Sequence, residues 1–228
     1  MPSKVSSRKS RILITAGPTR EMLDPVRFIS NVSTGEMGYT LARCAKAAGH
    51  EVTLISGPVD LNPPAGVGFI SITNAEQLQK ACRKHFRAHD ILIMTAAVCD
   101  FTPAKKQKQK IKRLKTKHFL LKQTPDIVAG LARQKGKRTV IGFCLETQNW
   151  LENARKKLKH KHLDGIVANF YNASHVPFGK RRITTAFLGQ KGDRVLLKNK
   201  AKTQVAKALL KWIAMGAKKS FKSRGISI

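Results

Sequence analysis

Three polar clusters occur in a fixed order along this chain, and all three carry residue types that handle anions. The first, Thr15 to Gly38 (TAGPTREMLDPVRFISNVSTGEMG), contains Arg20, Arg27, Asn31, Ser33, Thr34 and Gly35. The second closes an apolar run with Ala96-Ala97-Val98-Cys99-Asp100-Phe101, and the third is Lys110-Ile111-Lys112-Arg113. Ser33-Thr34-Gly35 precedes a helical pattern that starts near Met37. It therefore offers hydroxyls, a glycine and free amide N–H groups at a helix N-terminus, where an anion is favoured. A side-chain N-cap by Ser33 or Thr34 accounts for the same residues, and the two roles are compatible. Arg20 and Arg27 flank the loop and suit a clamp on a carboxylate or phosphate. Asn31 adds an uncharged donor and acceptor fit for an acyl or phosphate oxygen. The third cluster sets cations a short loop beyond Asp100, as a polyphosphate ligand requires. This is the layout of a nucleotide-using enzyme.

The elements that must position these residues alternate. Ile12–Ala16, Val52–Ile55, Ile91–Ala97, Val140–Cys144 and Ile166–Asn169 read as buried strands. Met37–Ala48, Ala75–Ala88, Pro125–Arg133 and Trp150–Lys161 read as helices between them, the third with a proline in its first turn. Near-continuous apolar strands separated by helices predict a Rossmann-like, doubly wound α/β fold, its mostly parallel sheet covered on both faces. The first two clusters then fall at the carboxyl ends of strands, where such sheets bind ligands. Beyond residue 183, Thr184–Leu188 and Arg194–Leu197 predict a β-hairpin with a type I′-like turn at Gly192-Asp193. A last helix, Thr203–Met215, turns Val205, Leu209, Leu210 and Trp212 inward. The expected organisation is one domain over 10–216 with basic, flexible tails at 1–9 and 217–228. Residues 105–117 carry eight Lys or Arg and no acid, so they predict a mobile basic loop that orders when an anion docks.

The chain has 228 residues, enough for one full core, and a hydrophobic fraction of 42% that suits a folded protein. Its 44 Lys+Arg against 13 Asp+Glu give a net charge of +31, a field that attracts nucleotides, nucleic acid, acidic lipid or phosphorylated metabolites. Against so few acids, Glu21, Asp24, Asp100, Asp126, Glu146 and Asp164 stand out at strand ends and helix starts, Asp126 as a plain helix cap. Cys44, Cys82, Cys99 and Cys144 form no CxxC pair, which argues against a zinc site or a disulfide framework and fits a reducing cytoplasm. The basic start MPSKVSSRKS leads into too short an apolar run for a signal peptide, and no run approaches the ~20 residues of a membrane span. A nicotinamide cofactor is disfavoured. The first strand is followed by Gly17-Pro18-Thr19 rather than GxGxxG, the second ends in Ser56-Gly57-Pro58 with no acid for a ribose, and no Tyr-x-x-x-Lys pair is present.

TAGPTREMLDPVRFISNVSTGEMG, AAVCDF, KIKR, TPDIV, GFCLET and the spaced lysines of ARKKLKHK together resemble phosphopantothenoylcysteine synthetase, the ligase of coenzyme A synthesis. The resemblance runs in order from about residue 11 to 170, and more loosely to about 215. It implies a CTP-using enzyme of the bacterial kind, here as a stand-alone synthetase, working as a cytoplasmic homodimer beside a separate phosphopantothenoylcysteine decarboxylase. The implied substrates are 4′-phosphopantothenate, L-cysteine and CTP with Mg²⁺, and the implied intermediate is an acyl-cytidylate. By the same resemblance Asn31 binds that intermediate and Lys110, with Lys112 and Arg113 beside it, is the loop lysine needed for turnover. Ala96, Ala97 and Asp100 fall on the nucleotide-binding strand end, where small side chains let a ligand approach the backbone. Asp100 suits either the ribose or the cytosine amino group. Pro125, Asp126, Ile127 and Val128 match a helix start lining the nucleotide site, Phe143 a wall for the base, and Lys157 and Lys161 cations that reach the CTP. The latter two also lie four apart on one helical face, the spacing of a solvated pair.

Departures from the family's pattern are Pro18 within Gly17-Pro18-Thr19, Thr124 before Pro125, and Cys99, Cys144 and Leu145 at positions that usually hold alanine. The loop 177–182 is more basic than usual, and Glu36 stands where a lysine is common, reversing a phosphate contact. The competing reading is a basic nucleotide- or nucleic-acid-binding module without ligase activity. Against it stand 6% aromatics and no nucleic-acid motif, leaving weak salt-sensitive binding by the tails.

Overall fold

The structure, a computed structural model, describes residues 9–113, 118–173 and 176–216. Residues 1–8 of the expected tail at 1–9, the expected tail at 217–228, and 114–117 of the basic loop lie outside the described residues. Strand β1 (Arg11–Ala16) leads into a short ribbon of β2 (Arg20–Met22) and β3 (Phe28–Ser30), then α1 (Glu36–Ala47) and β4 (Glu51–Ser56). Next come β5 (Gly68–Ser71), α2 (Ala75–Phe86) and β6 (Ile91–Met94). A second ribbon, β7 (Phe101–Pro103) with β8 (Leu121–Gln123), brackets the basic loop. The chain continues through α3 (Ile127–Ala132), β9 (Thr139–Glu146), α4 (Trp150–His160) and β10 (Gly165–Phe170). It closes with β11 (Ile183–Gly189), β12 (Arg194–Lys200) and α5 (Lys202–Ala214).

Eight strands form one sheet in the order β12-β11-β10-β9-β6-β1-β4-β5. The six from β10 to β5 pair in parallel, and β11 and β12 extend the β10 edge antiparallel. Counted along the chain, the parallel strands run 3-2-1-4-5-6, the doubly wound order whose direction reverses between β1 and β6. The apolar strands are buried on both faces because helices cover both. Ile12 and Ile14 face α1 and α5, with Tyr39, Leu41, Leu209 and Trp212. Leu13 and Leu92 face α2, α3 and α4, with Leu78, Phe86, Leu131 and Leu158. Each such side chain contributes about 1.5–3 kcal/mol when fully buried, so the two clusters together set the sheet's direction and register.

The fold class matches the sequence expectation, and the differences are local. β2, β3, β7 and β8 are three-residue ribbons without the alternation that marks a longer strand, and β5 is a mostly exposed edge strand. Pro125 sits just outside α3, whose N-cap is Asp126, with the carboxylate accepting from Ala129 N–H at 3.1 Å. The hairpin turn is not type I′. It spans 190–193 with Gly192 at positive φ, whereas Lys191 and Asp193 stay in ordinary backbone regions.

At the reversal point the loops leaving β1 and β6 stay hydrogen bonded beyond the sheet. Pro18 bridges Ala97 in parallel, with Ala97 N–H donating to Gly17 C=O at 2.9 Å and Thr19 N–H to Ala97 C=O at 3.1 Å. The Thr15 hydroxyl accepts from Ala96 N–H and the Thr19 hydroxyl from Cys99 N–H, at 3.1 and 3.0 Å. Gly57, at the exit of β4, packs so closely that a methyl group there would overlap the Pro18 carbonyl. Gly57→Ala is therefore expected to cost about 3 kcal/mol or more, read by urea unfolding. A loss under about 1 kcal/mol would mean that these loops separate freely.

Candidate functional site

Two cavities open at the carboxyl end of the sheet. The smaller, about 180 Å³, is lined by Ser33 to Gly38, Thr95 to Ala97, Phe143 to Leu145, Asn169, Pro177, Phe178 and Lys202. The larger, about 480 Å³, is lined by Ala96, Ala97, Val98, Asp100, Gln123 to Val128, Gly142 to Leu145, Lys157 and Lys161, among others. They share Ala96, Ala97, Phe143, Cys144 and Leu145, so the ends of β6 and β9 form the wall between them. That volume and that mixed lining are what a drug-sized or nucleotide-sized ligand needs.

The structure brings together most of the residues singled out from sequence. Ser33, Thr34 and Gly35 line the smaller cavity; Asp100, Pro125, Asp126, Ile127, Val128, Lys157 and Lys161 line the larger; Ala96, Ala97 and Phe143 line both. Neither hydroxyl caps α1. The N-cap is Gly35 at φ 75 with no side-chain cap bond, Ser33 accepts from Gly35 N–H at 3.3 Å, and Thr34 accepts from Gly179 N–H at 3.1 Å. The α1 amides thus face the cavity without a side-chain cap, and Gly35 takes a backbone conformation that a side chain would strain. Glu36 lies in that first turn, as helix electrostatics favour, and pairs with Arg43 at 3.4 Å.

Arg20, Arg27, Asn31 and Lys110 line neither cavity. Asn31 reaches the dividing wall through its amide, which donates to Ala97 C=O at 3.1 Å. Arg20 stacks on Phe28, its guanidinium carbon 4.6 Å from the ring centroid. Arg27 is already engaged: its guanidinium donates to the Asp24 carboxylate at 2.5 and 3.0 Å and to Ile111 C=O at 2.8 Å. The residue expected to clamp a carboxylate or phosphate is thus tied to a carboxylate of the protein itself. The reason lies in Asp24, whose side chain has no exposed surface and accepts also from Val26, Arg27 and Ile111 N–H. The Arg27 hydrogen bond holds the Asp24 carboxyl well below the usual carboxylate range, and the backbone donors outlast the opposing effect of burial. One buried carboxylate thereby fastens the basic loop, at the residue next to Lys110, to the first ribbon.

Lys157 and Lys161 lie in the larger cavity but are not free cations. Lys157 donates to Glu146 at 2.6 Å, and Lys161 pairs with Asp126 at 3.0 Å. Burial alone would lower the Lys157 ammonium, but its hydrogen bond and charge pairing with Glu146 raise it, so it stays protonated. Burial pushes the Cys144 thiol up to about 12, which disfavours its thiolate form. Cys44, Cys82, Cys99 and Cys144 are free thiols.

Sequence reasoning missed two residues here. Lys202 is 8% exposed and donates to Pro177, Gly179 and Arg181 C=O at 2.8, 2.6 and 3.2 Å. It pins the loop that carries Phe178 into the wall of the smaller cavity, and burial lowers its pKa despite the charge of Glu36. A lysine in the first turn of a helix is ordinarily a surface residue set against the dipole, so only the three carbonyls reveal its work. Asn169 also lines the smaller cavity, and its buried Oδ1 has no hydrogen-bond partner among the described residues. Such an acceptor costs about 1–3 kcal/mol unless something meets it. Its place at the end of β10, another parallel strand, was the available signal.

A family model described as the DNA/pantothenate metabolism flavoprotein C-terminal domain matches residues 7–216. The chain is 42% identical over 211 residues to the coenzyme A biosynthesis bifunctional protein CoaBC of Bacillus subtilis, covering 92% of this chain and 52% of that protein. The chain thus spans about half the length of this curated relative. The crystal structure of the C-terminal domain of a CoaBC protein superimposes with a TM-score of 0.78 at 37% identity, covering 92% of this chain and 96% of that one. A Cab2 mutant in complex with phosphopantothenate-cysteine shares the fold, with a TM-score of 0.73 at 17% identity over 90% of this chain and 88% of that one.

Two outcomes follow from the geometry. Because the folded-state pKa of Asp24 is depressed, its stabilisation is complete above the unfolded value of about 3.9 and is lost as pH falls below it. The unfolding midpoints of Asp24→Asn and the unsubstituted protein should therefore differ most above about pH 4 and converge toward pH 2; a pH-independent gap would contradict this. Lys202→Met should release the 177–181 loop, so that trypsin cuts after Arg181 or Arg182 at least about 10-fold faster, since a loop's cleavage tracks its open population. Unchanged cleavage would show that the carbonyl cage does not hold the loop.

Proposed function

Because this chain belongs to the DNA/pantothenate metabolism flavoprotein C-terminal domain family, we propose that it joins 4′-phosphopantothenate to L-cysteine using CTP. The observation that carries the reading is the shared wall: two cavities meet at Ala96, Ala97 and Phe143, and Asn31 is bonded to the backbone of that wall. A two-step acyl transfer needs such an arrangement, with a nucleotide and an acyl chain approaching one point from two sides.

The larger cavity takes the nucleotide, with Lys157 and Lys161 turning from their acid partners toward the triphosphate and Asp100 toward the ribose or the cytosine amino group. The open α1 amides and Ser33-Thr34-Gly35 hold an anionic group of the pantothenate substrate. The substrate carboxylate attacks the α-phosphorus of CTP, the bond to pyrophosphate breaks, and the acyl-cytidylate forms. The amine of cysteine then attacks the acyl carbon, releasing CMP and a proton and leaving the amide. Asn31 orients the acyl-phosphate oxygens, and Lys110 neutralises charge as pyrophosphate departs. Arg27 acts through Asp24, holding the Lys110 segment in place. Among the described residues no three His, Cys, Asp or Glu side chains converge as a metal site. Mg²⁺ would accompany the nucleotide and supply charge neutralisation there.

A homodimer is part of the proposal. Val26 and Phe28 on the first ribbon and Phe101, Phe119, Leu120 and Leu121 around the second are exposed, and β2 lies beside β7. Clustered exposed apolar side chains of this kind mark an interaction surface. A phosphopantothenoylcysteine decarboxylase would then consume the product. No helix among the described residues is long and apolar enough to cross a membrane.

The test is pyrophosphate release by the purified chain with 4′-phosphopantothenate, cysteine and Mg²⁺, with CTP or ATP in turn. The expected result is release with CTP that requires 4′-phosphopantothenate, lowered about 10²–10³-fold in kcat by Asn31→Asp and by Lys110→Gln without loss of fold. Release with ATP alone would overturn the nucleotide assignment, and no release with either nucleotide would overturn the ligase.

A further inference from the structure

The opposite rim of the sheet carries a second feature that the cavities do not use. Helices α2, α3 and α4 lie on one face, and each ends at the amino end of the parallel strands, just before β6, β9 and β10. Three turns meet there and are locked together. Arg138 donates to Arg87 C=O at 2.8 Å and stacks over Phe86, which joins the end of α2 to the turn after α3. Lys135 donates to His162 C=O at 2.6 Å and to the buried Asp164 at 2.9 Å, which joins that turn to the end of α4.

On this braced surface Arg83, Lys84, Arg87, Arg133, Lys137 and Lys159 are all exposed, and none of them is in an ion pair among the described residues. Of the acids at this end of the sheet, Asp90 pairs with Arg11 and Asp164 with Lys135, while Glu51, beside Asp90, stands at the start of β4, two strands away from β6. Helix dipoles do not account for the excess. The C-termini of α2 and α4 offer roughly half a negative charge each, which balances about one cation and not six. The surface also lacks apolar anchors, since every exposed large hydrophobic residue of the described chain lies elsewhere. A membrane-surface site needs such anchors beside its cations. A rigid, predominantly cationic surface fits instead a partner of high, regular negative charge.

We propose that this rim is a binding surface for the sugar-phosphate backbone of a nucleic acid, separate from the cavities at the other end of the sheet. The contact is independent of base sequence, and it lies in the folded domain rather than in the basic tails.

Fluorescence anisotropy of the full chain with a labelled RNA hairpin and with a DNA duplex, between 50 and 200 mM salt, tests this. Six phosphate contacts predict a fall in affinity of about 10³-fold over that range. Combining Arg83→Gln, Lys84→Gln and Lys137→Gln should reduce the slope of log affinity against log salt by about 3 for the duplex. The pyrophosphate assay and the thermal midpoint of this variant should not change, which separates the rim from the ligase reading. A chain trimmed to residues 9–216 should keep the rim's share of the slope. An unchanged slope in the triple variant, loss of all binding on trimming, or binding to vesicles of acidic phospholipid but to neither nucleic acid would overturn the proposal.

Discussion

The site depends on hydrogen bonds that continue between the β1 and β6 exits after the sheet itself has ended. In an open parallel sheet the strands on either side of the reversal point normally part, because their connections leave toward opposite faces. Here Gly17, Pro18 and Thr19 stay paired with Ala97, and the hydroxyls of Thr15 and Thr19 supply acceptors to Ala96 and Cys99. These backbone amides therefore remain satisfied while their side chains are small enough to leave two cavities beside them. Were the exits to part, the amides would each need water or another partner, and the wall shared by the cavities would lose its shape. Gly57 completes the arrangement by allowing the β4 exit to lie on Pro18.

A second constraint is the scarcity of acids, with 13 against 44 cations. In such a chain an exposed ion pair adds little, about 0–1 kcal/mol, because other cations compete for the same acid and solvent screens the pair. The acids with most effect are buried and accept from backbone, and Asp24 and Asp164 also pair with a cation. Glu21 is 3% exposed and accepts from Ala75 N–H at the start of α2. Asp164 fixes the start of β9 through Val140 N–H and neutralises Lys135. Asp24 joins the first ribbon to the basic loop. Each holds two separated segments together, which is why so few suffice to order a chain that otherwise repels itself.

The sheet was legible in the sequence because β1, β6, β9 and β10 are buried on both faces and so read as continuous apolar runs. The cavity-lining alanines, the Pro125–Val128 segment and Phe143 were legible for a related reason, since they follow such runs directly. The ribbons were not, because three paired residues carry no period; Thr19, Asp24 and the β1–β6 junction hold them, not their own side-chain pattern. The pairing of Arg27 with Asp24 is three residues long and was visible in principle, but in a cation-rich loop an arginine reads first as a ligand clamp. Lys202 was invisible, because its carbonyl partners lie 21 to 25 residues earlier and no residue type announces a bare C=O.

The pairing of Lys157 with Glu146 and of Lys161 with Asp126 bears on how a cationic cleft can stand ready without its ligand. Two unpaired ammonium groups on one side of a partly buried cavity would repel each other and lower each other's pKa. Glu146 removes that penalty and keeps Lys157 charged. The ammonium side of each pair is still reachable, with 45% of the Lys157 side chain and 29% of the Lys161 side chain exposed. At such exposure an ion pair is worth about 1 kcal/mol or less, so a polyphosphate can displace the carboxylates at small cost while gaining stronger, multiply charged contacts. The released Asp126 still has Ala129 N–H as a donor, and the released Glu146 has Asn153. Neither acid would be left stranded by the proposed exchange, which would not require the strands that carry the cleft to rearrange.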